Sequence, residues 1–326
     1  MDFFKAALAN HIGLSKRMQY SRSLLERVRL AVSAKTNCSR PEVCIYAAGS
    51  LGRLETGKIS DLDVFLFADS PGRPAGAKSI TKLQEIVVIS ELIQVNSELG
   101  LPTFSGDGEY LKIHEVDQLL AGTGTSIDDS ENLFTTRLLL LLESKCIAND
   151  TLYRRATEQV LEMYIRDGKG REDYRPLFLM NDILRYWRTL CLNYERTRHD
   201  PSKPWWKKNL NLKFSRKLTV FSSVLAILTE QVDTYAKFAP LSQMTPMERL
   251  ASSLDKLGDA ALLRQFLEFL DNYEEFLAAK SHSELERLAS KDSEHFRATA
   301  QQFDEFLHSV FQSEKLNRKL VRYLVI

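Results

Sequence analysis

The stretch Ala48-Gly49-Ser50-Leu51-Gly52-Arg53, followed by Ser60-Asp61-Leu62-Asp63-Val64-Phe65-Leu66-Phe67, decides the reading of this chain. It reads as a Gly-Ser turn, a short loop, and two carboxylates at i and i+2 heading an apolar strand. Residues i and i+2 of a strand point to one face, so Asp61 and Asp63 project together. Two carboxylates held that close repel unless cations sit between them. The arrangement suits Mg²⁺, which takes carboxylates, waters and phosphate oxygens. Paired metals can activate an attacking oxygen and stabilise a leaving one at phosphorus.

The residues before the carboxylates complete a phosphate site. Glu42 to Ala48 (EVCIYAA) is a short apolar run rich in β-formers and reads as a buried strand. Gly49 permits close backbone approach to a ligand. Ser50 offers a hydroxyl and, with the next amides, donors for a triphosphate. Arg53 adds a planar cation suited to phosphate. A lone Gly-Ser is a turn and a lone Asp-x-Asp a solvated strand end. The order strand, Gly-Ser, strand is what turns these residues into a site.

On Gly49, Ser50, Asp61 and Asp63 the chain resembles the nucleotidyltransferase superfamily of DNA polymerase β. The variant Gly-Ser-x-Gly-Arg with Ser-Asp-x-Asp looks most like the bacterial branch around PII-protein uridylyltransferases. It is also similar to the nucleotidyltransferases found beside cyclic-nucleotide-binding modules. The motif covers residues 42 to 67, with weaker similarity to about residue 155. The resemblance implies a mixed β-sheet with flanking helices and two Mg²⁺ ions, which Mn²⁺ could replace. It also implies transfer of a nucleoside monophosphate from a triphosphate such as ATP, releasing pyrophosphate. A protein side chain is the expected acceptor. A tRNA 3′ end, as in toxin or defence enzymes, is the alternative, and a non-catalytic nucleotide-binding regulator is a third reading.

The superfamily uses a third carboxylate on a neighbouring strand. Glu143, in Leu138-Leu139-Leu140-Leu141-Leu142-Glu143-Ser144-Lys145-Cys146-Ile147-Ala148-Asn149-Asp150, fits the family layout of an acid in an apolar run before a turn and a new helix. A helix-surface carboxylate is the competing reading, because short apolar runs are ambiguous between helix and strand. Glu109 and Glu115 are the rivals, in an alternating segment that also suits a strand. The catalytic and metal set is thus Asp61, Asp63 and Glu143; the nucleotide set is Gly49, Ser50, Arg53, Lys213 and Lys217. The last two are implied by the family, whose helical domains close over the nucleotide.

Composition sets the outer limits. The 326 residues suggest two domains: an α/β catalytic domain over 1–150 and an α-helical domain over 151–326 that closes the cleft. A net charge of +1 gives no global electrostatic case for nucleic acid or a membrane surface. No run approaches the ~20 apolar residues that span a bilayer. The N-terminus lacks the pattern of a signal peptide. Cys38, Cys44, Cys146 and Cys191 have no metal-ligand spacing and read as buried free thiols of a reducing cytoplasm. The six histidines show no paired spacing either, which argues against zinc.

Residues 1 to 35 read as mostly helix, with a break near Gly13. Ser70 to Ala77 is a Pro/Gly loop, Lys82 to Leu99 a helix ending at Gly100, Leu101 to Ser105 a short strand, and Thr123 to Glu131 a polar loop. From Leu133 the signal is almost all helical. Lys203, Lys207, Lys208, Lys213, Arg216 and Lys217 fall in a stretch without an acid, beside Pro204-Trp205-Trp206. The stretch reads either as a basic lip for triphosphate or RNA or as a solvated basic loop. Asp182, Arg185 and Arg188 share a helix face. The Phe and Leu stripes of the C-terminal third read as core.

Overall fold

The computed structural model describes residues 2–74, 76–108, 110–166, 174, 176–198, 205–281 and 293–316. A four-stranded mixed sheet stands among many helices. The chain divides into two units: Arg17–Arg166, and the residues to Lys16 together with those from Asp167 onward.

The first unit is built on β1 (Val43–Ala47). All five of its residues are fully buried, as an unbroken apolar run covered on both faces should be. It pairs antiparallel with β2 (Val64–Ala68) on one side and β4 (Lys145–Ala148) on the other. β2 pairs in parallel with β3 (Ile113–Glu115), giving the order β3-β2-β1-β4. A parallel neighbour needs a crossover, which α4 (Lys82–Glu98) supplies. Thr81 and Gln84 close a capping box at its start, so the helix begins where the sequence places it.

Alternation along the strands divides the packing. Val43, Ile45 and Ala47 of β1 and Val64 and Leu66 of β2 join Leu24, Leu25, Val28 and Val32 of α2 (Ile12–Ser33) and Val88, Leu92 and Val95 of α4 in one core. The other face carries Tyr46, whose ring stacks on Phe65 at 5.7 Å and meets Tyr153 at 6.4 Å. Tyr153 belongs to α8 (Asp150–Ile165). The Tyr46 hydroxyl donates to the carbonyl of Thr136 (3.2 Å) in α7 (Leu133–Glu143). Helices therefore cover both faces of the sheet.

Three expectations need correcting. Leu101–Ser105 is not a strand: Pro102 has no N–H for a ladder, and its carbonyl is taken by the Asn96 side chain. The polar segment Thr123–Glu131 holds a short helix, α6 (Ser126–Ser130). Its Asp128 is fully buried and binds Arg137 through two bonds of 2.6 and 2.8 Å, a pairing no local pattern announces. The region from Leu133 is not purely helical, since the leucine run ends as α7 and gives way to β4.

In the second unit α1 (Asp2–Asn10) packs near Pro246–Leu257, and Phe3 meets Phe266 at 5.8 Å. The Phe stripes are core: Phe214 stacks on Phe276 at 4.7 Å, and Phe269 on Phe303 at 4.4 Å. Cys38, Cys44 and Cys146 are buried thiols and Cys191 is half-buried. Among the described residues no helix is long and apolar enough to cross a membrane.

Candidate functional site

The two halves of the motif meet where β1 ends. Ala47 pairs with Val64, and the Ala48 N–H extends the ladder by donating to the Asp63 carbonyl (2.9 Å). The chain then turns sharply into α3 (Gly49–Gly52). Gly49 opens the turn with φ +59°, a left-handed conformation that favours glycine. A Cβ at Gly49 would collide with the Asp63 carboxylate. The acid therefore lies against the backbone of the Gly-Ser turn. Gly52 is equally constrained, because a Cβ there would strike the Glu143 carbonyl oxygen of α7.

Burial alternates from Asp61 to Phe65. Leu62 and Val64 are buried on the α2/α4 face, while Asp61, Asp63 and Phe65 are half-buried on the other. Both acids share this partial exposure, and both stand just before the first residue of β2, Val64. Ser50 is buried, and its hydroxyl lies 3.5 Å from that of Thr56. The turn is fixed from behind. Glu55 N–H donates to the Ser50 carbonyl (2.7 Å), and Thr56 N–H donates to the Ser21 hydroxyl of α2 (2.9 Å). The first amides of a helix have no acceptor inside it, and the start of α3 lies beside the Asp63 carboxylate.

Arg53 and Glu143 are not placed as expected. The Arg53 guanidinium donates to Glu55 (2.8 Å) and to Glu143 (2.7 Å), and all three side chains are at most 3% exposed. A buried charge has to be paired, and this fork is matched by two carboxylates. Arg53 thus ties the loop after α3 to the end of α7 instead of presenting its charge at the surface. Glu143 is the last residue of α7, not a strand residue beside Asp61 and Asp63. Glu55, the second partner, was missed in the sequence; its i+2 spacing from Arg53 was the available signal.

The rivals for the third acid fare differently. Glu115 pairs with Ala68, five residues beyond Asp63 along β2, which is about 16 Å at the strand rise. Its carboxylate accepts from Ser79 and pairs with Arg73 (3.3 Å). Glu109 lies outside the described residues. Among the described residues, no three metal-ligating side chains form a group.

The basic stretch is mixed. Lys203 and Pro204 lie outside the described residues. Trp205, Trp206 and Lys207 open a helix, Trp205–Asn211, but their side chains lie outside the described set. The Lys217 ammonium pairs with Asp304 and sits 6.0 Å from the ring centres of Trp187 and Phe303. It is held inside the helical unit. Lys213 lies in a π-helical turn, Leu212–Arg216. Burial, then the neighbouring charges of Lys217 and Arg297, push its pKa below the usual lysine value.

Gly49→Ala tests the turn. Forcing a side chain into the left-handed region costs about 1–2 kcal/mol, and the collision with Asp63 adds to it. A loss of about 2–3 kcal/mol in urea unfolding is expected, together with loss of any activity that needs Asp63 in place. Wild-type stability would mean that Asp63 does not rest on Gly49.

Compared with known protein families and with curated proteins, the chain matches none of them.

Proposed function

We propose that this chain is a Mg²⁺-dependent nucleotidyltransferase that moves a nucleoside monophosphate from a triphosphate to an acceptor hydroxyl. One observation carries the reading: the Asp63 carboxylate lies against Gly49 at the opening of the Gly-Ser turn, with the half-buried Asp61 two residues before it. The nearness of that acid to the turn supports a site in which amides of the turn bind phosphate and the acids bind metal. The resemblance of the motif to the polymerase β superfamily supports the same reading, and the four-stranded mixed sheet agrees with its fold.

The donor set suits the ion. One or two protein carboxylates are enough to hold Mg²⁺, whose remaining positions go to water and substrate phosphates. Asp61 and Asp63 are half-buried, so each can meet both protein and substrate. Bound there, the ion supplies charge neutralisation at the phosphates and acidifies the attacking hydroxyl. The chain does the positioning, which is the larger part of phosphoryl-transfer catalysis. The amides that open α3 and the Ser50 hydroxyl hold the terminal phosphates. Arg53, Glu55 and Glu143 hold that loop rigid from beneath.

The acceptor we assign is a protein side chain, on the likeness to the uridylyltransferase branch. The test is incubation of the full chain with each radiolabelled triphosphate, with and without lysate. Label in protein and release of pyrophosphate are expected. Label in RNA would move the acceptor to tRNA and make the lysines at 203, 207 and 208 its contacts. Absence of pyrophosphate with all four triphosphates and lysate would remove the enzyme reading.

A further inference from the structure

The first unit contains a cavity of about 630 Å³ at the outer edge of the sheet. It is walled by β3, the start of α4 and the segment from Gln118 to Leu133. Its size is within the range of small-molecule sites. It is not part of the Asp61–Asp63 site, because its strand, β3, meets β2 at the far end from Asp63.

The lining has a distinct chemistry. Ile80, Ile113 and Leu133 supply apolar wall. His114 is 6% exposed and lines the cavity, yet its ring has no hydrogen-bond partner among the described residues. The buried side-chain atoms left without a partner do not include its ring nitrogens, so the ring's polar edge is reachable from the cavity it lines, where a bound molecule can meet it. Burial, with Lys112 nearby, holds the His114 pKa down at about 4, so the ring is neutral and can donate or accept.

The charges at the rim point to the sign of the ligand. Lys82 is held by Glu85 (3.0 Å), Lys112 by Glu131, and Glu115 by Arg73. Among the described residues Lys78 makes no ion pair and is exposed at the rim. It is the ammonium that can meet an anion without breaking an existing bridge.

We propose that this cavity binds a small amphipathic anion, with its apolar body on Ile80, Ile113 and Leu133, a hydrogen-bonding group at His114, and its single negative charge at Lys78. The site is separate from nucleotide transfer and does not depend on that reading.

The test uses the full chain and anilinonaphthalene sulfonate, an apolar monoanion with one N–H. Saturable one-to-one binding is expected, read by fluorescence. Lys78→Gln should weaken it about fivefold, the size of one exposed charge contact. His114→Phe keeps a planar ring, removes both ring nitrogens and should weaken it about tenfold. Ala121→Trp, placed at an exposed lining position, should abolish binding while the thermal midpoint stays near wild type. The dye could instead settle on the exposed apolar face of α4, where Leu83 is 75% exposed. Leu83→Ser separates the two: a signal lost with Leu83→Ser and kept with Ala121→Trp overturns the proposal. So does non-saturable binding or none.

His114 also carries a stability prediction. Its pKa is about 4 in the folded chain against the ordinary 6.5, so the unfolded chain binds the extra proton first. Stability from this group is complete above pH 6.5 and is lost as pH falls toward 4. Urea unfolding of wild type and His114→Phe should therefore diverge in slope with pH between 6.5 and 4. Parallel curves would mean that the ring is solvated.

Discussion

Replacing Asp61 or Asp63 with alanine is expected to lower the rate of nucleotidyl transfer by on the order of 10³, the scale set by loss of one preorganised charge. The fold should survive. Both side chains are half-buried, and the neighbours that build the core, Leu62 and Val64, point the other way. On the proposed site each variant also removes half of a like-charge pair. Measured in EDTA, the thermal midpoint of either should equal or exceed that of wild type. Adding Mg²⁺ with a triphosphate should raise the wild-type midpoint, since binding to the native state alone stabilises it, and should leave the variants unmoved. Near wild-type transfer by either variant sinks the proposed mechanism. A midpoint that falls by many degrees in EDTA would make the carboxylates structural.

Arg53→Met is expected to cost about 3–5 kcal/mol of stability, because it strands two buried carboxylates without their cation. The pair distances are 2.8 and 2.7 Å and none of the three side chains is more than 3% exposed, so solvent offers little screening. The triple variant Arg53→Met, Glu55→Gln, Glu143→Gln should recover much of the loss, since a buried ion network replaced as a whole is often near neutral. Urea unfolding of the two proteins gives the comparison. An Arg53→Met protein of wild-type stability, with only a raised KM for the triphosphate, would return Arg53 to the phosphate role expected from its spacing.

Asp61 and Asp63 stand just before an unbroken apolar run, which forms β2 from Val64 whatever the chain does elsewhere. The capping box at Thr81 and Gln84 and the β-forming run of β1 are of the same kind. Arg53 and Glu143 are 90 residues apart, and nothing within a turn or strand period relates them. A cation after Gly-Ser-x-Gly has the same local appearance whether it meets phosphate or is buried between two acids.

Local sequence therefore settled β1 and β2 on either side of the motif, the turn at Gly49, and the helix α4, because backbone sterics and side-chain periodicity act over a few residues. Tertiary packing alone decided that the leucine run before Glu143 is a helix and that Lys217 faces Asp304. It also decided that α1 joins the helical unit and that His114 borders a cavity. Each of these turns on which distant surface covers a side chain. Covering removes solvent, and without solvent a charge must find a partner wherever the fold brings one.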